Sequence, residues 1–217
     1  MHALIVDGHP APGRLLTALL DGYAAALPAD TKVTRLAIRD LAFASNLRQG
    51  YVEDQSWESD LQTAAAAIND CDHLVIGFPL WWGAEPALLK GFLDRILLPG
   101  FAFRYHKQDV FWDRLLSGRS ADVIITMDTP PWYLRAIYRD PVGHRWRRQI
   151  LGFCGFAPIR IYRLGPTRRG EAGKRMAAWE AKLAQAAKSA TALKRKAKSA
   201  MFSDRAEFGA ATAERKS

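Results

Sequence analysis

Leu74-Val75-Ile76-Gly77-Phe78-Pro79-Leu80-Trp81-Trp82-Gly83 is the stretch that decides the fold. Its first half is an unbroken apolar run, as expected of a central parallel strand buried on both faces. Its second half ends that strand abruptly, because Pro79 withholds an N–H and Gly83 permits a turn. Upstream, Ser59-Asp60-Leu61-Gln62 reads as a capping box opening an Ala-rich helix to about Asn69. Downstream, Pro86 to Leu98 has helical spacing. A buried strand between two helices is the repeating piece of an α/β fold.

The alternation continues in both directions. His2 to Asp7 is a short apolar strand, and a helix is expected from Pro12 to Leu27 with Leu15, Leu16, Leu19, Leu20 and Tyr23 on one face. Thr31 to Leu36 alternates as a second strand, and residues 40 to 58 read as a long loop. Asp122 to Thr126 supplies a fourth strand, Gly143 to Phe153 a helix, and Ile159 to Leu164 a fifth strand. Glu171 to about Lys198 reads as one long helix. Five strands separated by helices imply a doubly wound parallel sheet, most commonly ordered 2-1-3-4-5, with ligands beyond the carboxyl ends of strands 1 and 3. A G-x-G-x-x-G motif does not follow the first strand, which argues against a dinucleotide-type site there.

Composition narrows the class. Hydrophobic residues make up 49% of 217, enough for a core without disulfides. Cys71 and Cys154 form neither a CxxC nor a Cys/His pattern, so they read as buried apolar residues and no metal site is expected. The net charge of +9 is uneven: residues 168 to 217 carry 13 Lys+Arg against 5 Asp+Glu, and the rest carries 18 against 17. Basicity therefore belongs to the tail, and a nucleic-acid-binding body is not expected. The division expected is a domain over 1–187 and a basic tail over 188–217 whose last 18 or so residues are disordered. A solvated tail is the first reading, and contact with an anionic membrane surface or a nucleic acid is the other that its charge suggests. The N-terminus reads as a strand and not a signal peptide, so the chain is expected in the cytoplasm.

Three strand ends converge if the order is right. Asp7 to Arg14 is a Gly/Pro turn leading into a helix N-terminus, where N–H groups and the helix dipole suit an anion and Arg14 adds a charge-assisted fork. Trp81 and Trp82 follow a buried strand directly, placing flat indoles in the crevice; they suit either a flat ligand or a subunit contact. Thr126-Met127-Asp128-Thr129 closes the third strand end.

Phe78 to Arg95, followed by Pro99-Gly100-Phe101-Ala102-Phe103, resembles the signature of the NAD(P)H:quinone oxidoreductase family, which has a flavodoxin-like fold. His9-Pro10-x-Pro12 and Gly152-Phe153-Cys154-Gly155-Phe156 match in the expected order. The resemblance implies FAD or FMN as cofactor, NAD(P)H as co-substrate and a homodimer. It implies ping-pong transfer of two electrons to a quinone-like aromatic acceptor. By resemblance, His9 and the loop to Leu16, including Arg14 and Leu15, bind the phosphate side. Pro79, Leu80, Trp81, Trp82 and Gly83 run along the isoalloxazine, and Thr126, Met127, Asp128 and Thr129 line its other side. A Tyr/His pair is expected after the fourth strand, with Tyr133 and His144 as candidates and Tyr138 in reserve. The chain departs from the pattern at Gly13-Arg14, where hydroxyls are usual, and at Met127 to Tyr133, where a glycine-rich segment is usual. Arg135, Arg139, Arg145, Arg147 and Arg148 crowd the same region, as a solvated face, or with one or two of them binding the extra phosphate of NADPH or screening an acidic acceptor. The alternative functions are an ancillary subunit of a membrane transport system and a one-electron carrier.

Overall fold

The computed structural model describes residues 1–50, 55–168 and 170–199. The strands, in chain order, are β1 (His2–Asp7), β2 (Lys32–Ala37), β3 (His73–Pro79), β4 (Phe103–Tyr105), β5 (Trp112–Arg114), β6 (Ser120–Thr126) and β7 (Ile159–Leu164). Five of them form one parallel sheet in the order β2-β1-β3-β6-β7, which is 2-1-3-4-5 among the sheet strands. The fold is flavodoxin-like, as expected. β4 and β5 form a separate antiparallel hairpin that the sequence does not announce, since three-residue strands carry too short a pattern.

Strand parity sorts the core into two layers. Ala3, Ile5, Val75 and Ile124 face α1 (Leu15–Ala25) and α7 (Glu171–Ser189), meeting Leu16, Leu20, Trp179 and Leu183. Leu4, Val6, Ile76, Val123 and Ile125 face the other way. There they meet Leu61 and Ile68 of α2 (Ser59–Asp70), Phe92 and Ile96 of α3 (Ala87–Ile96), and Trp146. Each fully buried Val, Leu, Ile or Phe among them contributes about 1.5–3 kcal/mol, so the two layers hold the sheet from both sides.

Three helix boundaries differ from expectation. α1 begins at Leu15, because Gly13 takes φ +65° and Arg14 is extended, which keeps Pro12 in the loop. The capping box is not formed: Glu58 holds the N-cap position, Ser59 is already helical, and the Gln62 amide donates to Trp57 O at 2.9 Å. α7 stops at Ser189, after which the chain turns back across the sheet's amino end. There Arg195 Nε donates to Ser120 Oγ at 2.8 Å and Lys198 pairs with Asp72 at 2.8 Å. The segment expected to be disordered, 200–217, lies outside the described residues.

Beneath that return lies a buried polar chain. Arg160 forks onto Asp122 with two bonds of 2.6 Å, and Tyr23 Oη donates to Asp122 at 2.7 Å. His73 lies 3.0 Å from Tyr23 Oη through Nε2 and 2.8 Å from Ser120 Oγ through Nδ1. One assignment of protons satisfies this chain, with Ser120 donating to His73 and His73 donating to Tyr23. Burial alone would raise the Asp122 pKa, but bonds from His73 and Arg160 outweigh it and hold the carboxyl below its ordinary value. Burial, then the Asp122 charge, pushes the Tyr23 hydroxyl well above its ordinary range.

Beyond β6 the chain forms α4 (Pro131–Ala136), with Pro131 in its first turn. Then α5 (Pro141–His144), a π-helical segment (Arg145–Ile150) and α6 (Leu151–Cys154) run on as one helical stretch. This spans the helix expected from Gly143 to Phe153.

Candidate functional site

The carboxyl ends of β1, β3 and β6 meet at the point where the winding reverses. Register pairs Asp7 with Gly77 and Pro79 with Thr126. The loops beyond are stitched together: Leu80 N donates to Thr126 O at 2.8 Å, and the His9 ring meets Trp81 edge-on at 5.8 Å.

The first loop is organised by Asp7, which the sequence reading did not single out. This nearly buried carboxylate accepts from His9 N at 3.0 Å, Thr17 Oγ1 at 2.8 Å and Arg39 at 2.8 Å. Arg39 also reaches His9 O at 3.2 Å. An acid closing an apolar strand was the available signal, since a buried carboxylate needs partners. His9 Nδ1 accepts from Ala11 N at 2.9 Å, and burial lowers the His9 pKa from its ordinary value. Beyond this clasp α1 opens with an exposed Arg14, no side-chain cap and no acidic residue in its first turn. Leu15 is half-buried and Leu16 is core, so these two offer the loop main-chain N–H groups more than side chains. An uncapped positive helix end beside an Arg fits an anion such as a flavin phosphate.

The second loop is a hairpin turn. Trp81 N donates to Ala84 O at 2.9 Å and Ala84 N returns to Trp81 O at 3.0 Å. Trp82 and Gly83 between them have φ of +51° and +79°, the sign pattern of a two-residue I′ turn. Glycine takes this conformation freely, whereas for Trp82 it costs on the order of 1–3 kcal/mol. Of the N–H groups expected to line a flavin, those of Leu80 and Trp81 are committed to the protein. Among the described residues none accepts from Trp82 or Gly83. Trp82 is fully exposed and Trp81 is 46% exposed. Pro79, by contrast, is buried and ends the strand.

Behind this turn stands Glu85, buried; it lies within the Phe78 to Arg95 run, but the sequence alone gives it no role. Its Oε2 takes the Arg145 guanidinium and Trp146 Nε1 at 3.3 Å, while its buried Oε1 has no hydrogen-bond partner among the described residues. Trp146 stacks on Phe78 at 4.8 Å. The turn is thereby braced against the helical stretch that follows α4.

The third segment is mixed. Thr126 is nearly buried, Met127 packs into the core, Asp128 accepts from Thr167 Oγ1 at 2.7 Å, and Thr129 is half-buried. Tyr133 sits in α4 with its ring edge-on to Trp132 at 5.5 Å and to Tyr138 at 5.3 Å. His144 ends α5, exposed, in an open cleft with Arg135, Arg139 and Arg147. Among the described residues no hydrogen bond or ring contact joins Tyr133 to His144. Both cysteines are buried, and burial pushes each thiol up to about 12, so neither is a ready nucleophile. No group of three or more metal-ligating side chains occurs among the described residues. No helix among them is long and apolar enough to cross a membrane.

The fold is a doubly wound α/β protein with two exposed indoles and an uncapped helix end at the switch point. A family model described as flavodoxin-like fold matches residues 1–189, and the chain belongs to that family. Human ribosyldihydronicotinamide dehydrogenase [quinone] is 34% identical over 111 residues, covering 48% of this chain and 46% of the relative. The chain thus spans about half the length of the curated relatives it matches. A Streptococcus mutans UA159 protein of known structure is 27% identical with a TM-score of 0.75, covering 86% of this chain and 98% of that one. An FMN-dependent NADH-azoreductase from Bacillus anthracis, solved with FMN, shares the fold at 18% identity and a TM-score of 0.65, covering 86% and 98%.

Proposed function

We propose that this chain is a flavin-dependent NAD(P)H oxidoreductase, holding FAD or FMN and passing two electrons by a ping-pong scheme to quinones or similar aromatic acceptors. The observation that carries the reading is the Trp82-Gly83 turn, with uncommitted N–H groups and exposed indoles, joined by the His9–Trp81 ring contact to the loop that leads into the uncapped end of α1. A quinone dehydrogenase among its relatives and an FMN-bound neighbour support the choice of ligand.

The bound flavin would supply the redox chemistry, taking a hydride from the nicotinamide and returning two electrons to the acceptor. The protein's work is placement. Arg14 and the N–H groups of Leu15 and Leu16 hold the phosphate, while Asp7 and Arg39 keep the His9 loop in shape without facing the anion bare. Trp82 and Gly83 donate to the ring's polar edge, and Trp81, propped by His9, supplies an apolar wall. Thr126 and Thr129 border the opposite side, with Asp128 at the rim.

Tyr133, in the helix directly after that segment, is the candidate donor to the charge that develops on the reduced ring. His144, the other member of the pair implied by resemblance, lines the cleft beside α4. Exposed Tyr105, Val110 and Phe111 on the β4–β5 hairpin suit the contact of a homodimer. In the cytoplasm, the compartment read from the sequence, NAD(P)H is at hand. In the basic run, Arg195 and Lys198 are already engaged, which leaves Lys188, Lys194 and Lys196 for a weak contact with an anionic membrane surface.

Purified protein should be yellow, bleach with NADPH or NADH in the absence of oxygen, and recover its colour with a quinone. A colourless protein that takes up neither FAD nor FMN and oxidises no NAD(P)H would overturn the reading.

A further inference from the structure

The five arginines of 135–148 divide into distinct groups. Arg145 is consumed by Glu85, and Arg148 does not line the cleft beside α4. Arg135, Arg139 and Arg147 do line it, together with His144, and none of the three has a carboxylate partner among the described residues. The cleft is open and encloses about 490 Å³. Its floor is the free edge of the sheet, at Ile161 and Arg163 of β7.

One carboxylate, Asp140, lies in the cleft and is already spent. It takes the Arg163 guanidinium in a bidentate fork, one bond being 2.7 Å, and Arg163 is further fixed by a bond to Ile161 O at 3.1 Å. The pair packs closely against α5 at Gly143, where an added Cβ would meet the Arg163 guanidinium and the Asp140 carboxylate and push them aside. Arg139 and Asp140 have consecutive left-handed φ of +57° and +54°, and the helix beside them is π-helical from Arg145 to Ile150. Such irregularities recur where a site is being shaped. Three guanidinium groups are thus gathered without countercharge on a body whose overall charge is nearly balanced. Like charges brought together repel one another, and a bound anion relieves the repulsion.

We infer that this cleft binds a phosphate monoester. Three separate forks around one opening suit a group with three terminal oxygens and roughly two negative charges at neutral pH, which a carboxylate lacks. Two sources share that chemistry: the 2′-phosphate of NADPH, and a free phosphorylated small molecule. α4 links the cleft to the flavin crevice, following Thr129 at one end and lending Arg135 to the cleft at the other. Only the NADPH source rests on the oxidoreductase reading; phosphate binding at the cleft does not.

The test uses the full-length protein and two probes, inorganic phosphate and adenosine 2′-monophosphate, with the His144 ring signals followed by NMR. Both probes should shift those signals saturably. In an Arg135→Ala/Arg147→Ala variant with unchanged melting temperature, affinity should fall about tenfold or more, while Arg135→Lys/Arg147→Lys should recover part of it. Absence of a saturable shift, or equal affinity in the Ala variant, would overturn the inference. Steady-state kinetics then separate the sources. A selective rise of KM for NADPH, with NADH as the internal reference, assigns the site to the cofactor. An unchanged NADPH-to-NADH ratio alongside lost phosphate binding assigns it to a free phosphomonoester. If the protein proves to bind no flavin, the NMR arm still decides the cleft.

Discussion

The two ends of one sheet are built on opposite terms. At the amino end, Asp122, His73, Tyr23 and Ser120 are buried and Arg160 is half-buried, and their polar groups are linked to one another, with Arg195 of the returning tail as the last link. At the carboxyl end, main-chain donors of Trp82, Gly83 and the first turn of α1 face outward and two indoles lie open. The same strands pass through both ends, so the difference lies in what their end residues do. Side chains that satisfy one another make a seal; donors and aromatic surface left over make a place for a ligand. The amino end should therefore govern stability and the carboxyl end ligand affinity.

Breaking the seal should give the largest effect. Asp122→Ala strands the Arg160 charge and the Tyr23 donor, and should lower unfolding free energy by about 3–5 kcal/mol in urea titrations. Folded molecules of this variant should bind flavin as before. Arg195→Ala removes only the outer link and should cost about 1–2 kcal/mol, since a single charge-assisted bond is lost. At the open end the sign reverses. Trp82→Gly relieves a left-handed tryptophan and should leave stability unchanged or raised by up to about 1 kcal/mol, while weakening flavin binding about tenfold. A Trp82→Gly protein with lower stability and normal flavin affinity would dissolve the contrast.

Much of this was legible in the sequence, for reasons that differ by residue. Strand parity and helical spacing are local patterns, so β7 emerges at Ile159–Leu164 as expected and the sheet order follows from alternation. The Phe78 to Arg95 run carried the resemblance that the family match bears out. The residues that brace the site were hidden because their reasons are tertiary. Glu85 matters through Arg145 and Trp146, sixty positions away, and Asp7 through Thr17 and Arg39. The capping-box pattern failed because Glu58 occupies the cap while its carboxylate serves Arg95 at 2.9 Å and Ala44 N at 3.0 Å. α7 ended early because Arg195 and Lys198 have partners across the sheet's amino end, which helical spacing cannot show.

The ends also differ in their response to pH. Asp122 has a folded pKa below its unfolded one, so its contribution is complete above the unfolded carboxylate range and is lost as pH falls through the folded value. Acid unfolding should accordingly begin below about pH 4 and should be weakened in Asp122→Asn. The smallest effects are in single titrations by NMR. His9, shifted down first by burial, should titrate below about 6.5. Exposed His106, bonded to Asp109 at 2.9 Å and Asp113 at 3.2 Å, should titrate above it. The His106 pairs hold below the unfolded pKa and loosen as pH rises through the folded one.

The central claim is that the Trp81–Gly83 turn and the open end of α1 receive a flavin. Adding FMN or FAD to flavin-free protein while following tryptophan fluorescence tests it most directly. Saturable quenching at one flavin per chain is expected, with most of the quenching lost in Trp81→Phe/Trp82→Phe and affinity lost in Gly83→Val. Flavin binding that leaves tryptophan emission unchanged, or that survives Gly83→Val at full affinity, would contradict it.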